Sequence, residues 1–154
     1  MTIVSGKEQR LEIFTVGLEP GDLLLESIQF LIKDHRIMNG IVLTGFGTLD
    51  LCTMHYVADS NFPPTNVMYG LSGALELTSM SGIIANASPH IHITVSQGRH
   101  MSYGGHLEAG SRVLYLAEFS VLKLENSKLI REFDAERQIS LLRDAKESKE
   151  KGGL

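Results

Sequence analysis

The chain has one cysteine among its 154 residues, which excludes an internal disulfide and any fold held by covalent staples. Cys52 lies in the alternating stretch LDLCTMHYV, the setting of a buried, inert thiol, and a reducing compartment fits. No apolar run reaches about 18 residues and no basic-then-apolar amino terminus is present, so neither a membrane span nor a secretory signal is read. Positive charge is also short. Lys and Arg number 14 against 18 Asp and Glu, and the net charge of -4 has the wrong sign for a surface whose task is to neutralise phosphates. There is no Gly-x-Ser-x-Gly elbow, which leaves Ser79 and Ser81 without the setting of a serine nucleophile. No internal repeat is evident. With 43% apolar residues, the expectation is one soluble, cytoplasmic domain over residues 1–143, followed by a charged, disordered tail over 144–154.

The first third reads as strand, helix, strand. RLEIFTVGL alternates about Leu11 and Ile13, and Pro20 and Gly21 stop it. Asp22 is placed to cap a helix whose apolar face carries Leu24, Ile28, Leu31, Ile32 and His35, leaving Glu26, Lys33 and Asp34 for water. After Asn39-Gly40 the period becomes that of strands for about 85 residues. GIVLTGFGTLDLCTMHYV is expected to bend at Gly45 and Gly47 between two strands, and NFPPTN is a loop. NVMYG, GALELTSMSGIIA, PHIHITVS and SRVLYLAEFSVLKLE supply further strands. Strands without intervening helices cannot make parallel crossovers, so the fold class is α+β: a largely antiparallel, mixed sheet with one main helix packed on it.

Four of the six histidines fall between Ser88 and Gly110. In PHIHITVS, Ile91, Ile93 and Val95 share one face, leaving His90, His92 and Thr94 on the other. Two residues apart on a strand, the histidine Cα atoms are separated by about 6.6 Å, close enough for both rings to meet one ion. SQGR reads as a turn, which brings Gly104, Gly105 and His106 back opposite the pair. Neutral imidazoles suit zinc or a similar divalent ion, and two glycines permit close approach, so His90, His92 and His106 are the metal candidates. His100 sits nearer the turn. The competing reading is a hydrogen-bonded strand face with no metal. Glu76 and Glu118 lie inside apolar strands, where an unpaired charge is costly, and Arg99 and Arg112 are the expected mates.

In order and separation, GIVLTGFGTLDLCTMHY, GALELTSMSG, PHIHITVSQGR and GGHLEAGSRVLYLAEFSV resemble the plants-and-prokaryotes-conserved (PPC) domain, in its stand-alone prokaryotic type, over about Glu8 to Glu125. The resemblance implies an α/β domain that assembles as a homotrimer, with the equivalents of His90, His92 and His106 suited to a metal in some prokaryotic members. Plant members add AT-hooks and carry a DNA-binding label. This chain has no Arg-Gly-Arg-Pro core to enter a minor groove. The plant segment Gly-Arg-Phe-Glu-Ile-Leu, which contacts transcription factors, corresponds here to Gly73-Ala74-Leu75-Glu76-Leu77-Thr78, without the arginine and the aromatic that would anchor an interface. His55 stands where the family commonly has arginine. The leading expectation is a non-catalytic trimeric module that binds a divalent metal or small ligand, with a regulatory or protein-interaction role. The alternatives are a metal-dependent enzyme acting on a small substrate, since three histidines plus water also make a catalytic zinc site, and a DNA-associated protein.

Overall fold

The structure, a computed structural model, describes residues 11–145. The elements run β1 (Glu12–Leu18), α1 (Leu24–Asp34), β2 (Asn39–Val57), β3 (Asn66–Ala85), β4 (Ser88–Gln97), β5 (Met101–Leu107), β6 (Arg112–Lys123), β7 (Leu129–Asp134) and β8 (Ile139–Asp144). A six-stranded sheet has the order β1-β6-β2-β3-β4-β5, and β7 and β8 form a separate hairpin. All strand pairs among the described residues are antiparallel, so the sheet is not mixed. No described helix is long and apolar enough to cross a membrane.

The helix follows its expected stripe. Leu24 and Ile28 are fully buried, and Leu31 and Ile32 nearly so, in one cluster with Leu49, Met54, Ile93 and Phe119 of the sheet. Its start differs from expectation. Leu23 occupies the cap position, while Asp22 accepts a hydrogen bond from the Glu19 amide. The backbone supplies the fastening: Leu24 N–H donates to the Ser111 carbonyl at 2.8 Å, which meets one orphan amide without a side-chain cap. Glu26 turns out half-buried, accepting from the Gly110 amide at 2.9 Å and so tying the helix to the turn before β6. His35 sits at the carboxy-terminal cap, exposed, with its ring against Phe14 rather than in the core.

Gly45 and Gly47 do not divide two strands. β2 runs unbroken for 19 residues, and the irregularity appears as register shifts against β6 on either side of this segment. A side chain at Gly47 would strike the Leu116 carbonyl and Ala117, so the glycine lets β6 approach. NVMYG and GALELTSMSGIIA likewise form one continuous strand, β3. These long strands curl: β2 pairs with β3, β3 with β4, β4 with β5, and β5 returns to β2 through Met54↔Leu107 and His55↔His106. Four strands thus close a small barrel around Leu75, Leu77, Ile93, Val95 and Leu107.

The β7–β8 hairpin, unforeseen in the sequence, is held by buried Asn39. Its Nδ2 donates to the Ser127 carbonyl at 2.7 Å and its Oδ1 accepts from the Leu129 amide at 3.1 Å. The charged segment expected to begin at residue 144 starts within β8, and residues 146–154 lie outside the described residues.

Candidate functional site

Alternation along β4 buries Ile91, Ile93 and Val95 in the core and turns His90 and His92 away from it. The β4–β5 turn sets a register that pairs His92 with His106 and Ile93 with Gly105. Close packing fixes the third ring. A Cβ on Gly105 would lie 2.6 Å from the His55 carbonyl oxygen, so only glycine lets β5 close on β2 here, one residue before His106. Gly104 carries no such demand, because a Cβ there would meet its nearest atom at an ordinary 3.4 Å.

The three imidazoles are brought together. His90 and His92 approach to 3.3 Å between their Nε2 atoms, the His106 ring centroid lies 4.6 Å from that of His90 and 5.4 Å from that of His92, and the ligating nitrogens of all three fall within 4.8 Å of one another. His100 remains in the β4–β5 turn, outside this group. The protonation chemistry suits a cation. His90 is pushed down to about 4, first by burial and then by the positive charge of Arg131 and the neighbouring rings; His106 is held below its ordinary value by burial and by His55, with Glu108 opposing. Imidazoles kept neutral present lone pairs, the form a divalent metal takes. The donor set therefore fits zinc.

Two residues escaped the sequence reading of the site. His55 of β2 stacks on His106 with centroids 4.6 Å apart, and its Nδ1–H donates to Glu108 Oε1 at 2.6 Å. His55, His106 and Glu108 form a second group close enough to share an ion. Such a carboxylate–imidazole pair fixes the ring's tautomer and leaves Nε2 as the acceptor. The signal was present in the alternation of CTMHYV, which turns His55 outward, but its position relative to His106 depends on the β2–β5 closure.

Other expected residues stand elsewhere. Glu76 on β3 and Glu118 on β6 are exposed, because strand alternation turns them from the core, and no ion pair to either is found among the described residues. Arg112 pairs instead with Asp50, through Nε at 2.9 Å and Nη2 at 2.8 Å. Cys52 is buried, its thiol pushed up to about 11 by desolvation, the behaviour of an inert core residue.

The histidines open onto a cavity of about 630 Å³, walled also by His55, Val57, Pro63, Asn66 and the β7–β8 hairpin. This volume is ample for a small organic ligand.

Proteins of known structure share this architecture. A metal-containing protein from Archaeoglobus fulgidus superposes with a TM-score of 0.78 at 23% identity, over 92% of this chain and 98% of that one. A candidate DNA-binding protein from Ralstonia eutropha gives 0.70 at 24% identity, over 83% and 88% of the two chains. The bifunctional protein GlmU of a Synechococcus strain is 31% identical over 108 residues, 70% of this chain; the chain spans only 16% of that relative's length. The Plants and Prokaryotes Conserved (PCC) domain matches residues 5–125, from before β1 to just past β6, and the chain belongs to that family.

Proposed function

We propose that the protein is a homotrimeric module that binds one divalent ion, zinc foremost, through His90, His92 and His106, and that this centre serves ligand recognition rather than nucleic-acid readout. The observation that carries the reading is the convergence of three imidazole nitrogens within 4.8 Å, two from β4 and one from β5. Zinc would be held by these rings and would supply Lewis acidity or a fixed positive charge at the cavity wall. The metal-containing character of the Archaeoglobus fulgidus protein, which shares the fold, supports the same direction. The trimer is supported by an apolar sheet face: Ile13, Phe46 and Leu116 remain 56%, 48% and 47% exposed on the side away from the helix.

Elemental analysis of natively purified protein tests the metal. About one zinc per chain is expected in the wild type, with loss in His92→Ala and none in His100→Ala. Unchanged metal content in the His92 variant refutes the centre. Light scattering tests the assembly, and a stable monomer at micromolar concentration refutes the trimer.

One observation favours a catalytic version. His55, held by Glu108, stacks on His106 and lines the same cavity, where its free Nε2 would serve as a general base beside the histidine centre. Loss of a hydrolytic or lyase activity in His55→Ala, with zinc retained, would distinguish that reading from simple ligand binding.

A further inference from the structure

The histidine cavity has a second charged wall. Arg131 lines it from β7, a strand beyond the family match over residues 5–125. Its Nε is shut off from solvent and has no hydrogen-bond acceptor, and no ion pair to Arg131 is found among the described residues. A guanidinium stays charged, and a half-buried cation without a counter-charge is costly. The site offers it none. Glu108, the carboxylate of the histidine group, is engaged by His55, and the positive charge of Arg131 opposes protonation of both His90 and His106. A divalent ion on the histidines would deepen this surplus of positive charge.

We infer that the cavity binds a small organic monocarboxylate, its two oxygens forked on the Arg131 guanidinium and a further oxygen directed towards the histidine centre; this rests on the metal reading above. Nε lies out of solvent's reach, so the fork is made by the two Nη groups at the accessible end of the guanidinium, paired donors that the two oxygens of a carboxylate match. The lining favours an organic anion. At about 630 Å³ the cavity exceeds what phosphate fills, and Val57, Pro63 and Ile139 give it apolar surface for a carbon skeleton, while Asn66, Gln138 and Ser140 can meet polar substituents. The hairpin, anchored through Asn39, thus brings to the cavity the residue that selects the ligand's charge.

Calorimetric titration of the full chain tests this, in zinc-loaded and metal-free forms, with lactate, pyruvate and inorganic phosphate as probes. Lactate or pyruvate should bind the zinc-loaded wild type saturably, with a dissociation constant of about 1 mM or tighter. Arg131→Gln should weaken this by roughly tenfold to a hundredfold while its zinc content equals the wild type's. Arg131→Lys, which keeps the charge but not the fork, should bind at an intermediate level, and it carries the test if the glutamine variant fails to fold. Equal affinity in wild type and Arg131 variants overturns the proposal. So does the absence of carboxylate binding in protein that retains zinc, or binding of phosphate alone. Should the wild type take up no zinc, the metal reading falls separately, and the metal-free titration decides: carboxylate binding that depends on Arg131 upholds the anion site, and its absence ends it.

Discussion

Replacing Gly105 with alanine places one methyl group at the seam where β5 meets β2. The ideal Cβ would lie 2.6 Å from the His55 carbonyl oxygen, 3.3 Å from Met54 Cβ and 3.4 Å from the His55 carbonyl carbon. None of these atoms belongs to the free end of a flexible side chain. Relief therefore requires the two strands to part by several tenths of an ångström, against the pairing of Met54 with Leu107 and His55 with His106. Overpacking of this kind costs about 1–3 kcal/mol. For a chain of this size, that corresponds to a fall in melting temperature of about 3–10 °C. The neighbouring glycine is the control, since a Cβ on Gly104 would meet the Ile93 carbonyl oxygen at 3.4 Å and Thr94 Oγ1 at 3.6 Å, both ordinary contacts. Paired thermal denaturation of metal-free Gly105→Ala and Gly104→Ala should separate the two positions, with the Gly104 variant within about 1 °C of wild type because surface changes that strain nothing stay within ±0.5 kcal/mol. Zinc titration should show weaker binding in Gly105→Ala alone, because His106 is displaced with its strand. Equal stability of the two variants would refute the assignment of Gly105 to the close approach.

Acid should destabilise the metal-free protein earlier than its carboxylates dictate. His90 falls from 6.5 to about 4 in the folded state, so between those values the unfolded chain binds the extra proton, and stability drops as pH falls through that window. Urea unfolding at stepped pH should show this, and His90→Gln should flatten it. Asn39→Ala removes the acceptor and donor that hold the β7–β8 hairpin; loss of the acceptor for the buried Leu129 amide should cost about 1–3 kcal/mol and raise amide exchange in the hairpin before the barrel. Exchange rising uniformly across the chain would contradict local anchoring. Duplex DNA should bind weakly and dissociate as salt is raised, given the net charge of -4; fluorescence anisotropy showing tight binding above physiological salt would overturn that expectation.

The helix and the core alternation were legible because each is written in a local period. Leu24, Ile28, Leu31 and Ile32 repeat at helical spacing, and Ile91, Ile93 and Val95 at strand spacing, with burial following both. The His92–His106 encounter was also legible, since one tight turn sets their register. Long-range closure was not. His55 meets His106 only because β5 returns to β2, and no spacing along the chain encodes that pairing. The same limit hid Arg131, whose hairpin comes to the cavity through Asn39, some 90 residues away in sequence. Glu76 and Glu118 misled for a different reason: apolar neighbours in a strand do not bury a residue on the opposite face.

The closure of β5 on β2 is the barrel's shortest seam, two residue pairs against six between β4 and β5. One of those two pairs is His55 with His106, and His106 is in turn the partner of His92. An ion gripped by His92 and His106 would bridge the rung next to that seam. The barrel's slow breathing and the ion's escape would then be one motion, with the exchange rate of the bound metal reporting how often the ring of strands comes undone.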